Sequence, residues 1–85
     1  MSEKQKPTAE VRIGKIKSTI WRNVTKEGRA FYSLEIMRSY QDHQSGEWKE
    51  AHSFTYADLF ILAAVINHSI ETIEKLTRAE DHRSN

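Results

Sequence analysis

The 85-residue sequence predicts an α+β fold, in which a three-stranded antiparallel sheet is followed by one long C-terminal helix that mediates a homodimer. Residues 11–54 are rich in β-branched and aromatic residues of alternating polarity, which is typical of strands. From residue 56 the apolar residues recur every three or four positions, which indicates a helix. The chain has no cysteine and is too short to bury a large core, so association of two chains is the expected source of additional stability.

Both ends of the chain are polar, and we predict that they lie outside the folded domain. The domain is expected to span residues 11–78, with a flexible arm at residues 1–10 and a flexible tail at residues 79–85. The arm lacks the apolar segment of a signal peptide. The longest apolar run, at residues 59–66, is much shorter than the roughly 20 residues that cross a bilayer. We therefore expect a soluble, cytoplasmic protein that does not contact a membrane.

The first predicted strand, residues 11–23, carries most of the positive charge of the sheet. Ile16 and Ile20 alternate on the face expected to point to the core. The opposite face is polar, aromatic and basic, and consists of Lys15, Lys17, Thr19 and Trp21. In one regular strand, the apolar residues before Gly14 would point to the opposite face from Ile16 and Ile20. A bulge or bend near this glycine would correct the phase, because one extra residue exchanges the two faces.

Two segments that contain glycine separate the remaining strands. Residues 25–29 are of hairpin size and include Gly28, and residues 42–46 have the composition of a second turn. The second strand, residues 30–40, is predicted to place on one face Tyr32, Leu34, Ile36, Arg38 and Tyr40. The third strand, residues 47–54, is less apolar and is expected at an edge of the sheet, where charges discourage pairing with other chains.

The C-terminal helix is predicted to span residues 56–77. Thr55 followed by Asp58 resembles a capping box with Asp in place of Glu, which marks the start of the helix. One face is apolar at helical spacing and consists of Leu59, Leu62, Ile66, Ile70 (or Ser69), Ile73 and Leu76. Because one sheet covers only one side of a helix, the other apolar residues are expected to contact a second copy. This predicted dimer interface consists of Phe60, Ile61, Ala64, Val65 and His68.

No pattern in the sequence indicates catalysis or a bound cofactor. The four histidines are never four residues apart on one element, so no helical metal pair is expected, and the lack of cysteine excludes thiolate ligands. The sequence also has no phosphate-binding glycine loop and no nucleophile motif. We therefore expect a protein without enzymatic activity, metal or cofactor. A Ser or His that completes a site across a dimer interface is the remaining catalytic alternative.

Lys15, Lys17 and Trp21 on the basic strand are the main indication of a function. Lysines beside an exposed tryptophan are typical of platforms for single-stranded nucleic acids, because the cations contact phosphates and the indole stacks on any base. This surface is predicted to be extended by Arg22, Arg38, Tyr40, Trp48 and Lys49. One alternative is structural, with aromatic residues that cover a small core and lysines that provide solubility. Another is that the aromatic surface anchors a partner protein.

Several short motifs within residues 12–73 resemble a known family. They are Arg12-Ile13-Gly14-Lys15-Ile16, Thr19-Ile20-Trp21-Arg22-Asn23, Arg38-Ser39-Tyr40, Trp48-Lys49, Ser53-Phe54 and Asp58-Leu59. Together they look like a family of short uncharacterised bacterial β-β-β-α proteins, which implies the fold and no particular activity. More distantly, strands followed by one dimer-forming helix are similar to the positive-cofactor-four type of single-stranded DNA-binding protein. That fold has four strands before its helix, whereas three are predicted here.

The expected function is therefore non-catalytic, sequence-tolerant binding of single-stranded nucleic acid by the basic aromatic face of a homodimer, with DNA favoured over RNA. The alternative is a small protein-protein interaction adaptor that uses the same surface. Salt separates the two hypotheses, because binding to phosphates weakens steeply with ionic strength whereas an aromatic-anchored protein contact changes little. No small-molecule substrate is indicated.

Overall fold

A computed structural model of the chain describes residues 6–83, with side chains described up to residue 80. It contains β1 (Ala9–Ile13), β2 (Ile16–Val24), β3 (Ala30–Gln41), β4 (Trp48–Ala51) and α1 (Asp58–Arg83). The strands form one antiparallel sheet in the order β1-β2-β3-β4, so each strand pairs with its neighbour in sequence. The predicted α+β class, antiparallel sheet and C-terminal helix are confirmed. The expectations for residues 1–5, 84 and 85 lie outside the described residues.

The sheet has four strands and not the predicted three, because residues 11–23 belong to a hairpin. Ile13 pairs with Ile16 across a two-residue loop. Gly14 has a φ of 60° and Lys15 has no positive φ, which is the pattern of a type II′ turn with glycine at its first central position. A reversal of the chain, and not a bulge, therefore explains the change of phase at Gly14. Both strands of the hairpin turn their apolar residues to the same face.

The core lies between α1 and the first two strands, on which the helix packs. Ile20 of β2 and Val65 of α1 are fully buried there. The helix and the sheet also meet at Ser18 and Ser69, which are both buried and whose Oγ atoms are 2.8 Å apart. Ser69 Oγ lies 2.7 Å from the carbonyl oxygen of Val65. Because a hydroxyl has one proton, Ser69 donates to that carbonyl and accepts from Ser18, so both buried hydroxyls are satisfied.

The rotation of α1 about its axis differs from the predicted one. Val65 and Ser69 face the sheet, whereas Leu59, Ile66 and Ile70 are exposed although their spacing assigns them to the core. Apolar residues occur on all sides of the first helical turns, so spacing alone does not determine which side is buried. The burial of Val65 corrects its assignment to the dimer interface, because a side chain covered by its own sheet cannot contact a partner.

The start of α1 has the predicted capping box. Thr55 Oγ1 accepts a hydrogen bond from the Asp58 amide at 3.4 Å, and Asp58 Oδ2 accepts one from the Thr55 amide at 2.9 Å. Donation by the Thr55 amide, with a smaller contribution from the charge of Arg38, lowers the pKa of Asp58 below its ordinary value.

In the part of the chain that the structure describes, no helix has the length and apolarity required to span a membrane.

The C-terminal end of α1 is attached to the sheet. The helix runs to Arg83, so the domain boundary predicted at residue 78 falls inside it. The Glu80 carboxylate accepts a hydrogen bond from the Tyr32 hydroxyl and pairs with Arg22 at 2.8 Å. Donation to Glu80, together with partial burial, raises the pKa of Tyr32 above its ordinary value. Residue 80 is therefore part of the folded domain and not of a tail.

We expect Glu80→Ala to lower the melting temperature by a few degrees, because it removes the contacts of Glu80 with Tyr32 and Arg22 on the sheet. Glu74→Ala is the matched control, since Glu74 is exposed on the same helix and has no ion pair among the described residues. Thermal unfolding followed by circular dichroism measures both variants. Equal melting temperatures would show that the end of α1 does not contribute to stability.

Candidate nucleic-acid interface

The candidate interface lies on the outer face of the sheet, which is the face opposite α1. Side chains alternate along a strand, so the residues between the buried Ile16, Ser18 and Ile20 point to this face. The strand register extends the face across the sheet. Its members are Glu10, Arg12, Lys17, Thr19, Trp21, Asn23, Phe31, Ser33, Glu35, Met37, Ser39, Gln41, Trp48 and Glu50.

Two cations form a pair at one end of the outer face. Arg12 on β1 lies directly opposite Lys17 on β2. Like charges in this arrangement repel each other and lower the stability of a sheet. Neither side chain forms an ion pair with an acid among the described residues. An anion such as a phosphate would remove this repulsion, so the cationic pair of Arg12 and Lys17 is a candidate phosphate contact.

Arg12 is absent from the binding surface that the sequence predicts. If residues 11–23 formed one strand, Arg12 and Lys17 would point to opposite faces, because their positions differ by five and side chains alternate along a strand. The turn at Gly14 brings them to the same face at paired positions. A glycine that begins a two-residue loop between two apolar runs is a hairpin signal, and it could have identified Arg12.

The indole of Trp48 shares a depression with Arg12 of this pair. An outer depression of about 430 Å³ is lined by Arg12, Gly14, Lys15, Ser39 and Trp48. Trp48 is 64% exposed. Lys15, in the hairpin turn, has no acid within ion-pair distance in residues 6–80, although its charge makes a small contribution to the lowered pKa of Asp58. An exposed indole next to unpaired cations can stack on a base while the cations contact the adjacent phosphates.

Trp21 is separated from the cationic pair by an acidic row. This row consists of Glu10, Thr19 and Glu35, which pair across β1, β2 and β3. Trp21 lies beyond it and is half buried. His52 Nε2 approaches the Glu35 carboxylate at 3.8 Å. The outer face therefore has a basic end and an acidic middle, and the predicted series from the lysines to Trp21 is interrupted.

Four residues of the predicted binding surface point to the side of the sheet that carries α1. They are Arg22, Arg38, Tyr40 and Lys49. Alternation along β2 and β3 places them in phase with the buried Ile20 and its partner Leu34, so they do not share a face with Lys17. The eight predicted residues are thus divided between the two faces of the sheet and the Gly14 turn.

The three cations on the helix side all have acidic partners. The ion pairs are Arg22 with Glu80 at 2.8 Å, Arg38 with Asp58 at 3.4 Å, and Lys49 with Asp42 at 3.1 Å. Arg38 also donates to the carbonyl oxygen of Ser53 at 3.0 Å, and its guanidinium lies 5.5 Å from the ring centre of Tyr40. These contacts attach α1 and the β3–β4 loop to the sheet, so we do not include the three cations in the candidate interface.

A second surface, the apolar cleft, lies between α1 and β3. One row along α1 consists of Leu59, Ile66, Ile73 and Glu80. These residues are seven positions apart, which is nearly two helical turns, so they lie on the same side of the helix. Because Glu80 contacts Tyr32 of β3, this row lies on the flank of the helix that faces β3. Leu34 of β3 is exposed on the same side of the sheet. The row and Leu34 therefore border an apolar cleft.

The residues predicted for the dimer interface lie on the opposite flank of α1 from this cleft. Phe60 and Ile61 are exposed, and Ala64 is half buried. His68 is exposed, with its Nδ1 atom 3.6 Å from the Glu71 carboxylate. Around the helix axis, these residues lie on one side of the buried Val65 and Ile66 lies on the other. The apolar cleft is thus a different surface from the predicted interface.

The fold and these surfaces define a small α+β protein with a four-stranded antiparallel sheet, a C-terminal helix and a basic patch on the outer face. No group of three or more His, Cys, Asp or Glu side chains among the described residues could hold a metal ion. Comparison with protein-family models, curated proteins and solved structures finds no match to this chain. A functional assignment therefore depends on the chemistry of the surfaces.

Proposed function

We propose that the protein binds single-stranded nucleic acid, without catalysis and with little sequence preference, at the basic end of the outer face of a homodimer. The observation that carries this proposal is the exposed indole of Trp48 in a depression that it shares with Arg12. Arg12 and its cross-strand neighbour Lys17 form no ion pair with an acid among the described residues. Lys15 in the adjacent turn adds a third cation. DNA is the expected ligand in preference to RNA.

The chemistry of this patch matches a single strand better than a duplex. Cations that neutralise phosphates release counterions, which gives affinity for any sequence. The indole of Trp48 can stack on any base, a contact worth about 1–3 kcal/mol, whereas the bases of a duplex are already stacked.

The homodimer interface is assigned to the apolar cleft. Among the described residues only three apolar side chains, Ile16, Ile20 and Val65, are buried, which is few for a domain without disulfides. Ile66 and Leu34 are each 39% exposed on the two sides of the cleft. A second copy carries the same helix row and the same cleft. A dimer with one two-fold axis would therefore bury the cleft of each copy against the other.

A protein-interaction adaptor is the second candidate function. Tyr56 and Phe60 are both largely exposed, and their rings pack edge to face with centroids 5.8 Å apart. Exposed aromatic residues are frequent anchors of protein partners. Binding through such a surface would change little with ionic strength, which distinguishes it from binding to phosphates.

The salt dependence of binding tests the proposed function. We expect a fluorescently labelled oligothymidylate to bind the wild-type protein at low salt, with an affinity that falls as salt is added. Arg12→Ala and Lys17→Ala should each flatten the plot of log affinity against log salt by about 0.7, and the double variant by roughly 1.4, because each removes one phosphate contact. Fluorescence anisotropy at several salt concentrations measures these slopes.

The control is the double variant Lys26→Ala/Arg29→Ala, which removes the same two kinds of charge from the turn at the other end of β2. Its slope should stay close to that of the wild-type protein. An equal change of slope in both double variants would mean that net charge alone attracts the ligand. Absence of binding by the wild-type protein at low salt would rule out the proposed function.

A further inference from the structure

A second depression, which we call the end depression, continues from the outer depression around the β3–β4 end of the sheet. It has a volume of about 880 Å³, and Tyr40 and His43 are among its lining residues. Lys15 and Trp48 line both depressions. A chain that contacts Arg12 and Lys15 on the outer face can therefore pass Trp48 into the end depression without leaving the protein surface.

The alternative path along the outer face crosses unfavourable charges. A strand that ran from the cationic pair to Trp21 would pass over the row of Glu10, Thr19 and Glu35. Two carboxylates in that row repel the phosphates of a nucleic acid, and repulsion between unscreened like charges opposes binding most strongly at low salt. The charges of the surface thus favour the path around the end of the sheet.

The wall of the end depression is held in place before any ligand binds. Asp42 Oδ1 accepts hydrogen bonds from the amides of Gln44 at 2.8 Å and Ser45 at 3.0 Å. Asp42 Oδ2 pairs with Lys49, and these partners together lower the pKa of Asp42 below its ordinary value. The Asp42 charge is therefore already compensated. A wall that is fixed in advance also costs little conformational entropy on binding.

We propose that a bound single strand turns around the β3–β4 end of the sheet and places a base in the end depression, against Tyr40 and Trp48, with a phosphate near Lys15. This inference rests on the proposed function and specifies the route of the strand. Trp21 then makes no contact with the ligand. The site takes a nucleotide as its ligand, with an aromatic wall for the base and an ammonium group for the phosphate.

Aromatic substitutions distinguish this route from the one along the outer face. With an oligothymidylate of about 12 nucleotides, Tyr40→Ala should weaken binding about 5- to 150-fold, which corresponds to the loss of one stacked base. Trp21→Ala and the control Phe31→Ala, an exposed aromatic residue at the other end of β3, should leave the affinity unchanged within about twofold. The opposite result, in which only Trp21→Ala weakens binding, overturns the route and leaves the proposed function intact.

Nuclear magnetic resonance of the wild-type protein provides a test that does not depend on the folding of Tyr40→Ala. The amide signals of residues 43–46 should shift when the oligothymidylate is added, and those of residues 26–28, in the turn at the other end of the sheet, should not. Shifts at Arg12 and Lys17 without any shift at residues 43–46 overturn the inference alone. Absence of binding in both experiments overturns the inference together with the proposed function.

Discussion

Ile20→Ala is expected to lower the free energy of unfolding by about 2–5 kcal/mol, because it removes buried methyl and methylene groups and leaves a cavity. Ile20 is fully buried beneath α1 and is one of three buried apolar residues among those described. A domain of this size without disulfides rarely has more than about 3–5 kcal/mol of stability from its core. The substitution should therefore unfold a large part of the population at room temperature. Urea denaturation followed by circular dichroism measures the loss.

Val24→Ala is the matched control for this experiment. Val24 lies on the same strand and the same face of the sheet as Ile20, but it is 55% exposed. Its truncation should cost well under 1 kcal/mol, because little apolar surface is transferred to water. Equal losses in the two variants would mean that the helix does not cover β2 as described.

Ile66→Asp is expected to convert a dimer into a monomer. The proposed interface covers Ile66, and a carboxylate buried there without a partner costs several kcal/mol, which exceeds what a small interface can compensate. Multi-angle light scattering at micromolar concentration should give a mass near twice 9.9 kDa for the wild-type protein and near 9.9 kDa for the variant. Because folding and association are linked, the variant should also melt at a lower temperature.

Ile61→Asp provides a control of nearly equal exposure on the opposite flank of α1. Ile61 is 38% exposed and Ile66 is 39% exposed, so the two substitutions introduce the same charge at comparable positions. If the apolar cleft is the interface, only Ile66→Asp should dissociate the dimer. Dissociation by Ile61→Asp alone would instead place the interface on the flank that the sequence predicts. A wild-type mass of one chain would exclude the dimer.

Features that depend on neighbours in sequence were predictable. The inward face of β2, with Ile16 and Ile20, follows from alternation along one strand. The capping box of Thr55 and Asp58 follows from two residues three positions apart. The signal for the turn at Gly14 was also local, but the phase change that it causes resembles a bulge, so one hairpin was predicted as a single strand.

Features that depend on contacts between distant elements were decided only by the tertiary structure. Apolar residues surround the first turns of α1, so its rotation was set by packing on β2 at Ser18 and Ser69. Arg22 was assigned to the binding surface because its charge is visible in the sequence, whereas its partner Glu80 lies 58 residues away. The sequence by itself thus determined the class of the elements and the inward face of β2, but not the buried face of α1. The tertiary structure decided which cations stay unpaired, because that depends on pairing across the whole chain.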